Sequence, residues 1–208
     1  MHADVNLPLI LLAALVATAS PGPATLAIAG TSMASGRRYG LALAAGVTTG
    51  SLAWSVAAAA GLSVVMLANA WVFEVLRYAG AAYLLFLAFK SARSALRPGA
   101  APAIKTAAPS LATAYRRGLL LHLTNPKAIL FFGSLYAVGV PAGTSPASLA
   151  LVIAAVGLQS FALFHGLALL FSSPPLAAGY AKLRRWFEAV FAAAFAFAGI
   201  KILTARLG

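Results

Sequence analysis

Cysteine is absent from the 208-residue sequence, and aspartate and glutamate together number only three. The first absence excludes disulfides and thiolate metal sites, and leaves the redox compartment open. The second leaves no carboxylate in the middle of any apolar segment, which counts against a membrane cation site. Charge of either sign is scarce: 9% of residues are charged and 62% are hydrophobic, with a mean hydropathy of +0.93. Soluble domains sit near about 45–50% apolar and about 25% charged. No water-soluble fold of this length hides so much apolar surface. The chain therefore reads as an all-α integral membrane protein, because its apolar segments far exceed the roughly ten-residue strands of a membrane barrel. Also missing are a Gly-rich phosphate loop, a nucleophile–His–acid set at workable spacing and a metal-ligand cluster. No enzyme activity, catalytic residue, cofactor or metal site is expected.

The charge that is present is basic, giving a net +12. It lies in short loops between apolar runs, which is the pattern that orients a membrane protein and not a nucleic-acid-binding stripe. Six apolar runs are long enough to span a bilayer, which takes about 20 residues each. They cover approximately 7–34, 40–66, 71–92, 112–138, 147–171 and 184–205. The first could be misread as a secretory signal, with an apolar core from Leu9 to Val16 followed by Ala17, Thr18 and Ala19. Its leading region holds Asp4 and no Lys or Arg, and the apolar run resumes afterwards, so it reads as a retained span.

Arg37 and Arg38 lie in loop one, and Lys90, Arg93, Arg97, Lys105, Arg116 and Arg117 flank loop three. Lys182, Arg184 and Arg185 lie in loop five, whereas loops two and four hold almost nothing basic apart from Arg77 nearby. Odd loops are thus cytoplasmic and both termini outside, with Lys201 and Arg206 outnumbered. The Ala- and Pro-rich stretch from Arg97 to Pro109 divides the chain into halves of about 1–97 and 111–208. Three spans per half give two inverted repeats, an architecture of many secondary transporters.

Prolines interrupt the first span of each half, at Ser20-Pro21-Gly22-Pro23 and at Asn125-Pro126-Lys127. A proline inside a helix costs about 3 kcal/mol or more. Ser and Asn are preferred N-caps and Pro is favoured at the first helical position, so each motif reads as a capped half-helix starting at membrane depth. Such a start offers free N–H groups and a positive dipole end to an anion. Lys127 adds a charge that costs about 2.5–3.5 kcal/mol to bury in a span and has no fixed acidic partner in sequence. It suits a substrate carboxylate or a coupling proton. His122 and His165 are the remaining proton-carrier candidates, and Glu188 reads as a local ion-pair partner of Lys182, Arg184 and Arg185. Gly46 and Gly50 form a small-xxx-small packing pattern. Thr25, Thr49 and Gln159 complete the candidate substrate contacts.

Ser20 to Pro23, Ser35-Gly36-Arg37-Arg38 with Gly40, Gly46 and Gly50, Gly80-Ala81-Ala82-Tyr83-Leu84, Arg117-Gly118 and Asn125-Pro126-Lys127-Ala128 occur in an order that resembles the lysine-exporter (LysE-type) family. That family includes the threonine/homoserine-resistance permeases. The resemblance implies a six-helix inner-membrane permease that exports amino acids against an inward flow of protons. Many members carry Asn or Asp directly after the Pro-Gly-Pro; Ala24 stands there in this chain, which favours a neutral cargo over a cationic one. The expected partners are an amino acid, protons and the lipid bilayer, with no nucleic acid; a homo-oligomer is compatible with the sequence. Two other readings are a metal-cation exporter of the same superfamily and a membrane interaction protein that transports nothing.

Overall fold

The computed structural model describes residues 5–68, 70–96, 110–141 and 143–204, and the expected linker with Arg97 and Lys105 lies outside them. Among the described residues every regular element is an α-helix. In chain order these are α1 (Leu7–Ala19), α2 (Pro23–Ser35), α3 (Arg37–Ala68), α4 (Ala70–Leu96), α5 (Leu111–Leu123), α6 (Pro126–Gly139), α7 (Pro146–Phe171) and α8 (Pro174–Thr204). The first and fourth expected spans are each divided in two, at the two proline motifs. By length and composition α3 and α7 are each able to cross a membrane, and α1 with α2, bent by 53° at their break, makes a third if taken as one span.

Two boundaries differ from the sequence reading. The first loop shrinks to Gly36, whose φ of 87° and ψ of 176° belong to a region open essentially to glycine alone. Helix α8 begins at Pro174 instead of near residue 184. Prolines in the first turn forfeit no intrahelical hydrogen bond, so Pro174 and Pro175 start the helix well. Glu188 consequently sits about four turns into α8. It is buried, and Ser94 Oγ on α4 donates to its Oε1 at 2.8 Å.

Helix α1 shows how such a composition packs. Ile10, Ala14 and Ala17 are buried on one face, while Leu9, Leu12 and Leu15 are exposed on the other. A helix apolar all round needs protein on one side and lipid on the other. Leu158 on α7, 70% exposed, makes the same point. Inside, α3 packs along α5, α4 along α8, α3 against α7, and both α1 and α2 against α7. Two apolar clusters result. One joins α1, α6 and α7 through Ile10, Phe132, Tyr136 and Val152, and the other joins α2, α3 and α7 through Ile28, Val47 and Phe164. The break between α1 and α2 falls where the two clusters meet.

Without a hydrophobic drive between helices in lipid, close backbone approach does much of the packing. A Cβ on Gly46 of α3 would collide with the Tyr115 carbonyl and stand 2.8 Å from the Leu119 nitrogen on α5. Reciprocally, a Cβ on Gly118 would collide with the Leu43 carbonyl. The expected small-residue seam is thus real, and it fixes α5, and with it the second break, against α3. Gly46→Leu should lower the thermal unfolding midpoint in detergent, in line with an overpacking cost of about 1–3 kcal/mol. Gly133→Ala, where nothing lies within 4 Å of the added carbon, should leave it unchanged or slightly raised. Equal midpoints for the two variants would refute the seam.

Candidate functional site

The first break is set by two prolines acting in succession. The residue before a proline is barred from the α region by the ring's Cδ. Ser20 precedes Pro21 and is extended at φ −67°, ψ 138°; Gly22 precedes Pro23 and is extended at φ −156°, ψ −179°. The helix therefore resumes at Pro23 and not at Pro21. This corrects the expectation for Ser20, which is the C-cap of α1 and not the N-cap of α2: its N–H bonds Val16 O and its Oγ donates to Ala17 O at 3.0 Å. Gly22 takes the N-cap position and has no side chain to offer. Thr25 Oγ1 accepts from Gly22 N at 2.7 Å and donates to Gly22 O at 2.9 Å, which holds the turn closed. Pro23 brings no N–H, so Ala24 and Thr25 present the uncapped start of α2.

The second break follows the sequence expectation. Asn125 is the N-cap of α6, with its Oδ1 accepting from Lys127 N at 3.0 Å and Pro126 at the first helical position. The Lys127 side chain then crosses to the first break. Its Nζ donates to Ser20 O at 2.9 Å and also to Ser20 Oγ. A Cβ on Gly22 would stand 3.1 Å from Lys127 Cδ and 3.2 Å from Nζ, so the glycine leaves the lysine its path. An ammonium carries three donors, and the carbonyl end of α1 is the negative end of its dipole. The half-buried Lys127 side chain is thus held by backbone and hydroxyl oxygens.

The two breaks line one cavity of about 40 Å³. Ser20, Gly22, Ala24 and Thr25 come from the first break, Asn125 and Lys127 from the second, and Ser51 and His122 from the α3–α5 pair. Phe131, Phe132 and Phe164 form its apolar walls. Such a volume has room for a few waters, since one needs about 10–15 Å³ by the same measure. It is smaller than a free amino acid. Lys127 is the charged residue in this lining, and the polar groups beside it are neutral.

The expected site residues divide cleanly. Ser20, Gly22, Thr25, Asn125, Lys127 and His122 line the cavity, whereas Pro21, Pro23 and Pro126 shape the breaks without lining it. Thr49 faces away: its Oγ1 donates to Ala45 O and accepts from Tyr115 OH, each at 3.1 Å. Gln159 Nε2 donates to Leu11 O at 2.9 Å and so ties α7 to α1. His165 Nδ1 lies 2.9 Å from Phe161 O with the ring stacked on Phe161, away from the cavity. Ser51 and the three phenylalanines went unread in the sequence. Ser51 directly follows Gly50, whose contact with His122 is a three-dimensional fact that no local spacing reveals.

The LysE type translocator family model matches residues 15–206. A threonine efflux protein of Salmonella typhi is 30% identical over 196 residues, covering 92% of this chain and 94% of that protein. The threonine efflux protein of Escherichia coli K12 is 29% identical over 194 residues, with the same coverage of each chain. An uncharacterised membrane protein of Pseudomonas aeruginosa is 33% identical over 193 residues, covering 90% of this chain and 89% of its own length. No solved structure matches.

Replacing Asn125 by Ala removes the cap on α6, which typically costs about 1 kcal/mol. The thermal midpoint in detergent should fall accordingly, and Asn125→Ser should recover most of the loss. A midpoint indifferent to Asn125→Ala would show that the cap does not set the second break.

Proposed function

The chain belongs to the LysE type translocator family, and we propose that it exports a small neutral amino acid from the cytoplasm in exchange for protons. Membership, together with the apolar helices, makes it an inner-membrane transporter of amino acids or small metabolites and not an enzyme. Two relatives named for threonine efflux make threonine the first cargo to try. The observation that carries the proposal is Lys127 reaching from one broken helix to Ser20 at the other, across a shared cavity.

In this reading α1 with α2 forms one broken span and α5 with α6 another, and α3, α4, α7 and α8 complete six. The halves, about 1–97 and 111–208, then enter the membrane in opposite directions, with both termini outside. The packing supports this: α5 lies along α3 of the first half, while α1 and α2 lie on α7 of the second. α3 also meets α7, and α4 meets α8, as partners related by a two-fold would.

The cavity offers each end of an amino acid a fitting neighbour. The uncapped start of α2 and the Lys127 ammonium suit the carboxylate, and the carbonyl end of α1 suits the α-ammonium. An arriving carboxylate competes with Ser20 for Lys127 and so loosens the link between the breaks. Rocking of the two halves would then open the cavity to one side or the other. Lys127 is the proton carrier of this scheme; His165 lies outside the cavity lining.

Counterflow of labelled amino acids in proteoliposomes tests the proposal. Wild type should show saturable threonine exchange, and Lys127→Met should lower it at least tenfold, about the worth of one charge-assisted hydrogen bond. Unaltered exchange in Lys127→Met, or no exchange of any amino acid in wild type, would overturn the reading. An imposed pH gradient should drive accumulation that a protonophore abolishes; accumulation indifferent to the gradient would remove the proton from the scheme.

A further inference from the structure

The wall opposite Lys127 carries a second polar group whose needs are only half met. His122 is 5% exposed, yet its Nδ1 has no hydrogen-bond partner. A buried polar atom left unpaired costs about 1–3 kcal/mol. His122 lines the cavity, and an unpaired polar atom in a lining residue marks a place where a ligand could complete the hydrogen bonding.

The rest of the residue is held firmly. Ser51 Oγ lies 3.1 Å from His122 Nε2, and Trp54 Nε1 donates to the His122 carbonyl at 3.3 Å. Phe164 meets the ring edge-on, with centroids 5.9 Å apart and planes at 74°. Gly50 lies behind it, where a Cβ would stand 2.9 Å from His122 Cβ. A ring fixed on these sides is built to present its remaining nitrogen in one direction. A shuttle that must swing to move a proton would be held more loosely.

We infer that His122, oriented by Ser51, is the side-chain subsite of this transporter and hydrogen-bonds a hydroxyl group on the cargo. The inference rests on the transport reading above and adds to it the residue that selects among neutral amino acids. The chemistry favours a hydroxyl. If Ser51 donates to Nε2, Nδ1 bears the proton and needs an acceptor; if Nε2 donates to Ser51, Nδ1 needs a donor. A hydroxyl serves both cases, whereas an ammonium or a carboxylate serves one. Phe131, Phe132 and Phe164 leave the remaining volume apolar and small, which suits a short hydroxylated side chain. An isosteric aliphatic cargo would enter the same space and leave Nδ1 unpaired. A site that hydrogen-bonds a hydroxyl discriminates against the analogue lacking it.

Competition counterflow with threonine and valine, which are equal in shape and differ by the hydroxyl, tests this. In wild type, threonine should compete at a concentration at least tenfold lower than valine. His122→Phe should bring the two together by weakening threonine more than valine. His122→Asn, which returns a polar group near the Nδ1 position, should restore part of the preference. Ser51→Ala, which frees the ring without filling the cavity, should narrow the ratio and keeps the test available if His122→Phe does not fold. Amino-acid exchange without a threonine preference in wild type would overturn the inference and leave the transport reading standing. So would a His122→Phe protein that keeps the wild-type ratio but loses gradient-driven accumulation, since His122 would then be a proton carrier.

Discussion

The bond from Lys127 to Ser20 is the constraint on which the rest of the structure turns. It joins two broken helices that lie more than a hundred residues apart in the chain. A lysine at membrane depth is costly unless oxygens surround it, and here the exposed carbonyl end of α1 and the Ser20 hydroxyl supply them. In an unbroken helix the Ser20 carbonyl would be spent on the next turn. The break thus frees a backbone acceptor for the lysine of the other break. Gly22 leaves the space through which the side chain passes, and Gly46 with Gly118 brings α5 close enough to α3 for the reach to succeed.

The cation is occupied by the protein's own oxygens, and the remaining space admits a few waters. A substrate carboxylate offers Lys127 a stronger, charged acceptor. Under the proposed function, binding would loosen the tie between the two breaks, so that affinity and movement are linked through Lys127. Proline fixes the breaks but does not line the cavity.

Much of this was legible in the sequence because prolines in apolar runs are unambiguous. Both breaks, the cap at Asn125, the small-residue seam at Gly46 and the presence of Lys127 at the second break could be read from local chemistry. The register of the first break could not be read as easily. Ser20 looks like an N-cap, but Pro21 and Pro23 hold the residues before them, Ser20 and Gly22, in extended backbone and delay the helix to Pro23. The double proline at 174–175 misled in the opposite direction, since it begins α8 and carries Glu188 into the α4–α8 interface. His122 was visible as a titratable residue, yet its pairing with Ser51 depends on how α5 docks against α3, which no periodicity encodes. Thr49 and Gln159 were equally plausible by composition and turned away from the cavity for the same reason.

The central claim is that a substrate carboxylate takes the place of Ser20 as the partner of Lys127. Because the chain has no cysteine, Thr18→Cys puts a single thiol on the cavity wall. Its rate of alkylation in membranes can then be followed with threonine or with threoninamide, in which a neutral carboxamide replaces the carboxylate. The account predicts that threonine slows alkylation, that threoninamide does not, and that the protection disappears when Lys127 is also replaced by Met. Equal protection by both compounds, or protection that survives the loss of Lys127, would contradict it.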